Sequence, residues 1–492
     1  MAIDYVGADE AQLLASAGGK PTGVSLLWGD RVKVLGTSGG YIKVKARGIE
    51  GYVKKSELGG KSLLEFYFID VGQGDGVLIR TPDDRHVLVD GGFARKNQPT
   101  GKNAADFVDW KFVKDYGTKT IALDAVITSH NDADHYGGLW DLLSDDPAAT
   151  EELDADRVTV DAFYHAGLSW WKNGNSRTLG NYADIDAGQM WTQLLGERAD
   201  VQAALGSGSG RKLAGEWAKL FECVLKTRTS NGGSTPIRRL ADTKQFLPGF
   251  GAGSDVAIKV LAPVEFKVNG KPALRRFKGG DSKNTNGQSV LLRVDYGRTR
   301  VLLTGDLNTA SQDALLKDYA GKAQEFECDV AKACHHGSDD VSYRFLQAMR
   351  PAVTVISSGD NEGHDHPRPG IVAASATTGH LTISEDRIVS PLIYSTELAR
   401  SHKFSEVAVL DVAQAGGSAL QLKGKGLAGA KVTFPKKAGQ TKAGSKTLDK
   451  ALVLSGLIYG LVNVRTDGEK ILCATMNESD QSWQIKTIRS RF

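Results

Sequence analysis

Thr128-Ser-His130-Asn-Asp132-Ala-Asp134-His135-Tyr-Gly-Gly138 follows directly on the apolar run Asp124-Ala-Val-Ile. Four side chains able to bind metal fall within six positions, where a strand gives way to a helix. That density predicts a bound cation and hydrolytic chemistry, because imidazole and carboxylate together suit a site that activates water. A hydrolytic two-metal site draws donors from several loops, and the chain supplies them in order. Asp306 ends the apolar run Arg300-Val-Leu-Leu-Thr-Gly, so its carboxylate is expected at a strand terminus, able to bridge two cations. His335 and His336 close a second strand-like run from Asp329, and His165 follows a third from Val158 to Phe163.

Working outward, Leu63 to Asp70, Gly76 to Arg80 and His86 to Asp90 read as buried strands. Between Asn181 and Thr227 the pattern turns helical, interrupted by Gly-Ser-Gly-Ser-Gly at 206–210, and is read as part of an insertion. Trp170 and Trp171 precede it and are expected to pack under a loop, with stacking on a base or sugar as the functional alternative. Residues 20–57 alternate apolar and polar positions between glycines, as in Gly29-Asp-Arg-Val-Lys-Val-Leu35, Gly40-Tyr-Ile-Lys-Val44 and Glu50-Gly-Tyr-Val53. This stretch resembles a bacterial Src-homology-3-like barrel, a module that binds peptides or cell-wall fragments or serves as a passive docking domain.

With 492 residues, 41% hydrophobic and 24% charged, the chain can bury a large core and exceed one domain. No apolar stretch approaches the length of a membrane span and the N-terminus has no basic, apolar leader, so a non-inserted, cytoplasmic protein is expected. Cys223, Cys328, Cys334 and Cys473 lie far apart and read as buried free thiols. A net charge of +3 does not by itself call for a polyanion; the locally basic Lys271 to Lys283 and Lys436 to Lys446 read as solvated loops.

The order of motifs resembles the metallo-β-lactamase fold, and within it the hydrolase domain of ComEC-type DNA-uptake competence proteins. The residues that carry the resemblance are Phe68-Ile-Asp-Val-Gly-Gln-Gly-Asp75, Leu88-Val-Asp-Gly-Gly92, Ser129 to Gly138, Asn286-Gly-Gln-Ser289, Leu303-Thr-Gly-Asp306, His335-His-Gly-Ser338, and Ser358-Gly-Asp-Asn361 with His366-Pro367. The resemblance implies an α+β chain built as a four-layer αββα sandwich over 62–403, with a helical insertion at about 168–260. A small barrel would precede it at 1–60, and a β-rich appendage would follow at 404–492.

It also implies that His130 and Asp132 hold one ion, Asp134 and His135 a second, with Asp306 between them. His335 or His336 would complete the second site, and His165 is a further candidate ligand. Asp70, Asp75 and Asp90 would orient the site through hydrogen bonds. Asp132 stands where the commoner pattern has histidine, which hardens the first site and makes manganese a rival to one or two zinc ions. Asp134 would orient the nucleophile, and His366 would meet the developing oxyanion or protonate the leaving group. Ser338 and Asn361 would donate hydrogen bonds to a phosphate. DNA or another phosphodiester is the expected substrate. A non-nucleic ester, lactone or lipid phosphate is the enzymatic alternative, and a partner-binding scaffold or sensor with structural metals the non-enzymatic one.

Overall fold

The computed structural model describes residues 2–98, 101–208, 210–359, 366–396, 461–477 and 482–492, with the backbone of six short strands between 403 and 455. Two sheets face each other at its centre. The first has nine strands in the order Ile237–Arg239, Phe163–His165, Ala125–Thr128, His86–Val89, Val77–Arg80, Leu64–Phe68, Val462–Thr466, Lys470–Asn477, Ser482–Arg489. The second has six, from Val256–Ala262 through Leu291–Tyr296, Thr299–Leu303, Val330–Lys332 and Val353–Ile356 to Leu392–Ser395.

These strands are covered on both faces, which is why they read as continuous apolar runs rather than as alternations. Phe66, Phe68, Val87, Val89 and Ile127 point inward to meet Ile258, Leu292, Val294, Val301 and Val353 of the second sheet. The residues between them, Tyr67, Leu88 and Val126, point outward onto the helices Ala104–Trp110, Ala133–Leu143 and Gly215–Lys226. On the other side Leu291, Leu302 and Ala331 meet the helices Thr309–Asp318, Tyr343–Met349 and Pro369–Thr378. The result is the four-layer αβ/βα sandwich that the resemblance implies.

Two parts differ from the sequence reading. Strands 462–489 are not an appendage: Val462–Thr466 pairs antiparallel with Leu64–Phe68, so the C-terminal three strands complete the first sheet. Their apolar residues were legible, but a pairing across nearly four hundred residues leaves no local signal. The basic run Lys436 to Lys446 lies, apart from the backbone of 445 and 446, outside the described residues. The insertion is mixed rather than helical, since two hairpins, Trp171–Asn173 with Ser176–Thr178 and Tyr182–Ile185 with Gly188–Trp191, precede its helices.

The N-terminal unit is a six-stranded antiparallel sheet with its own core of Val6, Leu13, Leu26, Val32, Val44 and Val53. It is joined to the sandwich by Leu27 and Trp28 against Leu472 and Ala474. No helix among the described residues is long and apolar enough to cross a membrane.

Candidate metal centre

Parallel pairing aligns the strand ends that carry the chemistry. Ala125–Thr128 runs parallel to His86–Val89 in the first sheet, and Thr299–Leu303 runs parallel to Val330–Lys332 in the second. Their carboxyl ends deliver Asp90, His130, Asp306 and His335–His336 to one edge of the sandwich. This is the usual place for a site in sheets of this kind. The backbone is forced there: Asp90, His335 and His336 adopt φ of 58°, 46° and 52°, a left-handed conformation that non-glycine residues hold only under tertiary constraint. Gly74 (φ 118°) lets its loop approach so closely that a Cβ there would strike the Asp134 carbonyl.

Each histidine is held by one ring nitrogen and offers the other. His135 Nδ1 lies 2.9 Å from Asp90 Oδ2, and its Nε2 lies 3.2 Å from Asp306 Oδ2. His336 Nδ1 lies 3.2 Å from both Asp75 Oδ1 and the Ser357 carbonyl, and its Nε2 is 2.9 Å from Asp306 Oδ2. His130 Nδ1 meets the hydroxyls of Ser129 (3.1 Å) and Ser289 (3.3 Å). Its Nε2 points to Asp132 Oδ2 at 3.7 Å. Fixing one nitrogen so that the other faces a common point is how proteins orient metal-ligating imidazoles.

The Nε2 atoms of His130, His135 and His336, and Oδ1 of Asp306, are buried without a hydrogen bond of good geometry, although those of His135 and His336 lie close to Asp306 Oδ2. Such orphaned groups are costly unless something fills the space between them. Ligand atoms of His130, His135 and Asp306 lie within 4.8 Å of one another, as do those of Asp134, His135 and His336. This nitrogen-and-oxygen set fits one or two divalent cations, so the residues present suit the group that the sequence implies.

The electrostatics agree. Burial alone would lower His336, yet Asp306 and Asp75 beside it push it up to about 10. Asp132 is raised to about 7 by burial and by Asp134. Asp306 is held well below the carboxylate range by His336 and His135 despite its burial. Asp132 and His336 thus hold protons that a cation would replace.

The structure brings Asp132, Asp134, Asp306, His335 and His336 to the lining of one pocket of about 780 Å³, with His130 and His135 grouped beside Asp306. It separates the two adjacent histidines: His336 groups with Asp134 and His135, whereas His335 stands on the exposed side, with Nε2 3.9 Å from Asp306 Oδ2. The Asn286 amide, turned with its oxygen toward His335 Nε2 (3.2 Å) and its nitrogen toward Asp132 Oδ2 (3.0 Å), links both sites. His366 lines the same pocket, its ring centroid 5.8 Å from that of His335. Ser338 lines it too, although its hydroxyl accepts the Asp340 N–H (3.1 Å) within a turn. Asn361 lies outside the described residues.

His165 is not brought in. Its strand is next to Ala125–Thr128, but its Nε2 meets the Gly196 carbonyl at 3.0 Å and its ring packs edge-on against Phe221. Burial lowers it to about 3, so it is a neutral core residue.

Several residues at the site carried no role in the sequence reading. Lys332 is fully buried, donates to Asp75 and to the Gly305 carbonyl (3.0 Å), and lies 3.7 Å from Asp306 Oδ1. Its signal was a lysine inside the apolar run Asp329-Val-Ala-Lys. Thr285 donates to Asp132 Oδ2 (2.8 Å) and Gln73 to Asp134 Oδ2 (3.1 Å). Trp170 is buried, as expected of a residue under a loop, and its Nε1–H donates to the Asn131 carbonyl (2.6 Å). The Arg177 guanidinium covers its ring at 3.8 Å and lines the pocket mouth.

No protein-family model matches the chain. It is similar over 87 residues to competence protein ComA of Neisseria gonorrhoeae, with 37% identity covering 18% of this chain and 12% of that protein. It is similar over 93 residues to ComE operon protein 3 of Bacillus subtilis (strain 168), with 28% identity covering 19% and 12%. The matches thus span a small part of either relative. Among solved structures, Tm1679, described as a metal-dependent hydrolase of the beta-lactamase superfamily, aligns over 68% of this chain and 95% of its own at 14% identity and a TM-score of 0.31. The metallo-beta-lactamase SMB-1, in complex with mercaptoacetic acid, aligns over 55% and 79% at 13% identity and a TM-score of 0.23.

Proposed function

We propose that the centre is a metal-dependent phosphoesterase and that its substrate is a phosphodiester. The observation that carries this reading is the pairing, in one pocket, of the open histidine–carboxylate cluster with Arg177, a cation fixed by stacking at the mouth. His130, Asp132, Asp134, His135, His336 and Asp306 would hold a divalent ion, which would supply Lewis acidity toward a phosphoryl oxygen and lower the pKa of water.

The chain's own residues do the rest. Asp134, whose Oδ2 is steadied by Gln73, faces the pocket and orients the attacking water as its proton leaves. His366 stands across the pocket over the His335 ring, where it can protonate the departing oxygen. Arg177 offers a planar fork of donors that matches two non-bridging phosphate oxygens. Asp90, Asp75 and Lys332 hold the rings and carboxylates in register from behind. The local similarity to competence proteins supports a nucleic-acid substrate among phosphodiesters.

The test is turnover of a chromogenic phosphodiester and of single- and double-stranded oligonucleotides by metal-stripped protein re-supplied with zinc or manganese. Diester cleavage should return with metal, and Asp134→Ala should lose it by about 10³-fold or more while folding normally. Cleavage of carboxyl esters or lactones in place of diesters would overturn the phosphodiester assignment.

A further inference from the structure

A second cavity, about 720 Å³, lies between the N-terminal unit and the sandwich. It is lined in part by Glu65 and Arg80, at the opposite ends of the strands that lead to Asp70 and Asp75. Five residues of strand separate Glu65 from Asp70, so the cavity is about 17 Å from the metal edge at ~3.3 Å per residue. Its lining holds eight Lys or Arg against four Asp or Glu, a surplus greater than the +3 of the whole chain.

Part of that charge is spoken for at the floor, where half-buried Arg47 and buried Lys111 pair with Asp30 and Asp115. The walls differ. On one of them Lys33 and Lys45 are exposed and stand directly opposite each other on adjacent strands, with no carboxylate within ion-pair distance among the described residues. Glu50, opposite Lys45 on the next strand, pairs with Lys43 instead, so the two facing lysines repel across the sheet and leave charge for an outside anion. Arg31, two residues before Lys33, shares its face and pairs only with a half-exposed Asp84 at 3.5 Å. On the facing wall Lys114 and Lys119 are paired only with exposed Asp154 and Asp156, contacts that water screens and a stronger anion would displace.

The two walls are fixed to each other. Arg47 N–H donates to Asp115 Oδ1 (3.2 Å), and Gly48 sits so close that its Cβ would meet the Lys114 carbonyl at 3.0 Å. By contrast the basic run at 271–283 has most of its charge engaged: Arg275 pairs with Asp318, Lys283 with Asp340, and Arg276 lies over Tyr182 and Trp191, which leaves the exposed Lys271 and Lys278 at separate points rather than on facing walls.

We infer that this cleft is a second, non-catalytic binding site for the phosphate backbone of a nucleic-acid strand. Exposed lysines spread along two facing walls match an extended polyanion better than a compact one, which would call for converging, buried donors. The cleft's aromatic ring, Tyr116, is covered by Arg80 and Lys111, so it offers no platform for a base and the site reads backbone rather than sequence.

The test is fluorescence anisotropy with labelled single-stranded and duplex oligonucleotides and the full chain in chelator, so that no turnover is needed and failure of the hydrolytic assignment is read separately. Lys33→Glu with Lys45→Glu should weaken binding at least about tenfold and reduce the slope of log affinity against log salt by about two. Lys33→Gln with Lys45→Gln should give a smaller loss in the same direction. Both should leave turnover of a small chromogenic diester unchanged, and the Gln pair, which removes the like-charge contact, should not lower the melting temperature. No binding by the unsubstituted chain at low salt, or binding that neither pair alters, overturns the proposal. So does displacement of the oligonucleotide from some other surface while inorganic triphosphate alone responds to the substitutions.

Discussion

Two regions of this molecule bury charge, and they are arranged on opposite terms. Where the N-terminal unit meets the sandwich, Asp30, Glu65, Arg80, Lys111 and Arg465 are all nearly or fully buried. There Arg465 Nη2 lies 2.7 Å from Asp30 Oδ1, Arg47 Nη2 2.8 Å from Asp30 Oδ2, and Arg80 Nη1 2.9 Å from Glu65 Oε1. Every carboxylate meets a cation of the chain. At the other edge of the same sheet Asp75, Asp90, Asp132, Asp134 and Asp306 gather around three histidines, with Lys332 as the buried permanent cation among them. There the Nε2 atoms of His130, His135 and His336 converge on the Asp306 carboxylate instead of each pairing with a cation of the chain. Buried charge that closes on itself holds a joint together; buried charge left open is a place for an ion from outside.

The sharpest way to break this comparison is to remove a carboxylate from the open cluster. Asp306→Ala should abolish metal-dependent hydrolysis, a loss of about 10³-fold or more, and reduce bound metal as read by elemental analysis. Unchanged metal content would sink the assignment.

Removing a member of the closed network should do the reverse. Arg465→Met leaves Asp30 and Glu65 buried with fewer partners, and should cost about 3–5 kcal/mol in denaturant unfolding while per-molecule turnover of the folded fraction stays the same. Acid sharpens the point. Burial would raise Asp30, but Arg465 and Arg47 outweigh it and hold the carboxyl well below its ordinary 3.8. Its contribution is therefore present above that ordinary value and is lost as pH falls through the lower folded one. The acid-unfolding midpoint of Arg465→Met should move to higher pH.

Smaller effects should follow at the pocket mouth. Arg177→Ala should raise KM for a diester about tenfold or more with a lesser change in kcat, consistent with one lost charge-assisted contact. An equal fall in kcat would place Arg177 on the transition state instead. The smallest change expected is for Arg275→Gln with Arg276→Gln, whose charge is already engaged: oligonucleotide affinity should stay within about twofold, and a larger drop would return the basic run to the binding surface.

Much of the centre was legible because its ligands follow apolar runs. A strand buried on both faces announces itself, and the polar residue that ends it must emerge at the sheet edge, so Asp90, His130, Asp306 and His336 could be placed together before any coordinates. The same rule misplaced His165. It also ends an apolar strand, but the insertion folds over it and Gly196 takes its free nitrogen. Trp170 was read as packing under a loop, and it does. Its indole also ties Asn131, between two ligands, to the hairpin that carries Arg177, a link that only the fold reveals.

The chain by itself marked which residues could bind a metal, and the order of its motifs, through the family they resemble, pointed to a two-sheet sandwich, because residue type and short motifs are local properties. Tertiary structure alone decided that residues 462–489 finish the first sheet, that Lys332 lies under the cluster, and that Lys33 and Lys45 face Lys114 and Lys119 across a cleft. Those pairings join residues tens to hundreds of positions apart. Their free energy comes from burial and charge in the assembled molecule, for which the linear order of residues holds no periodic sign.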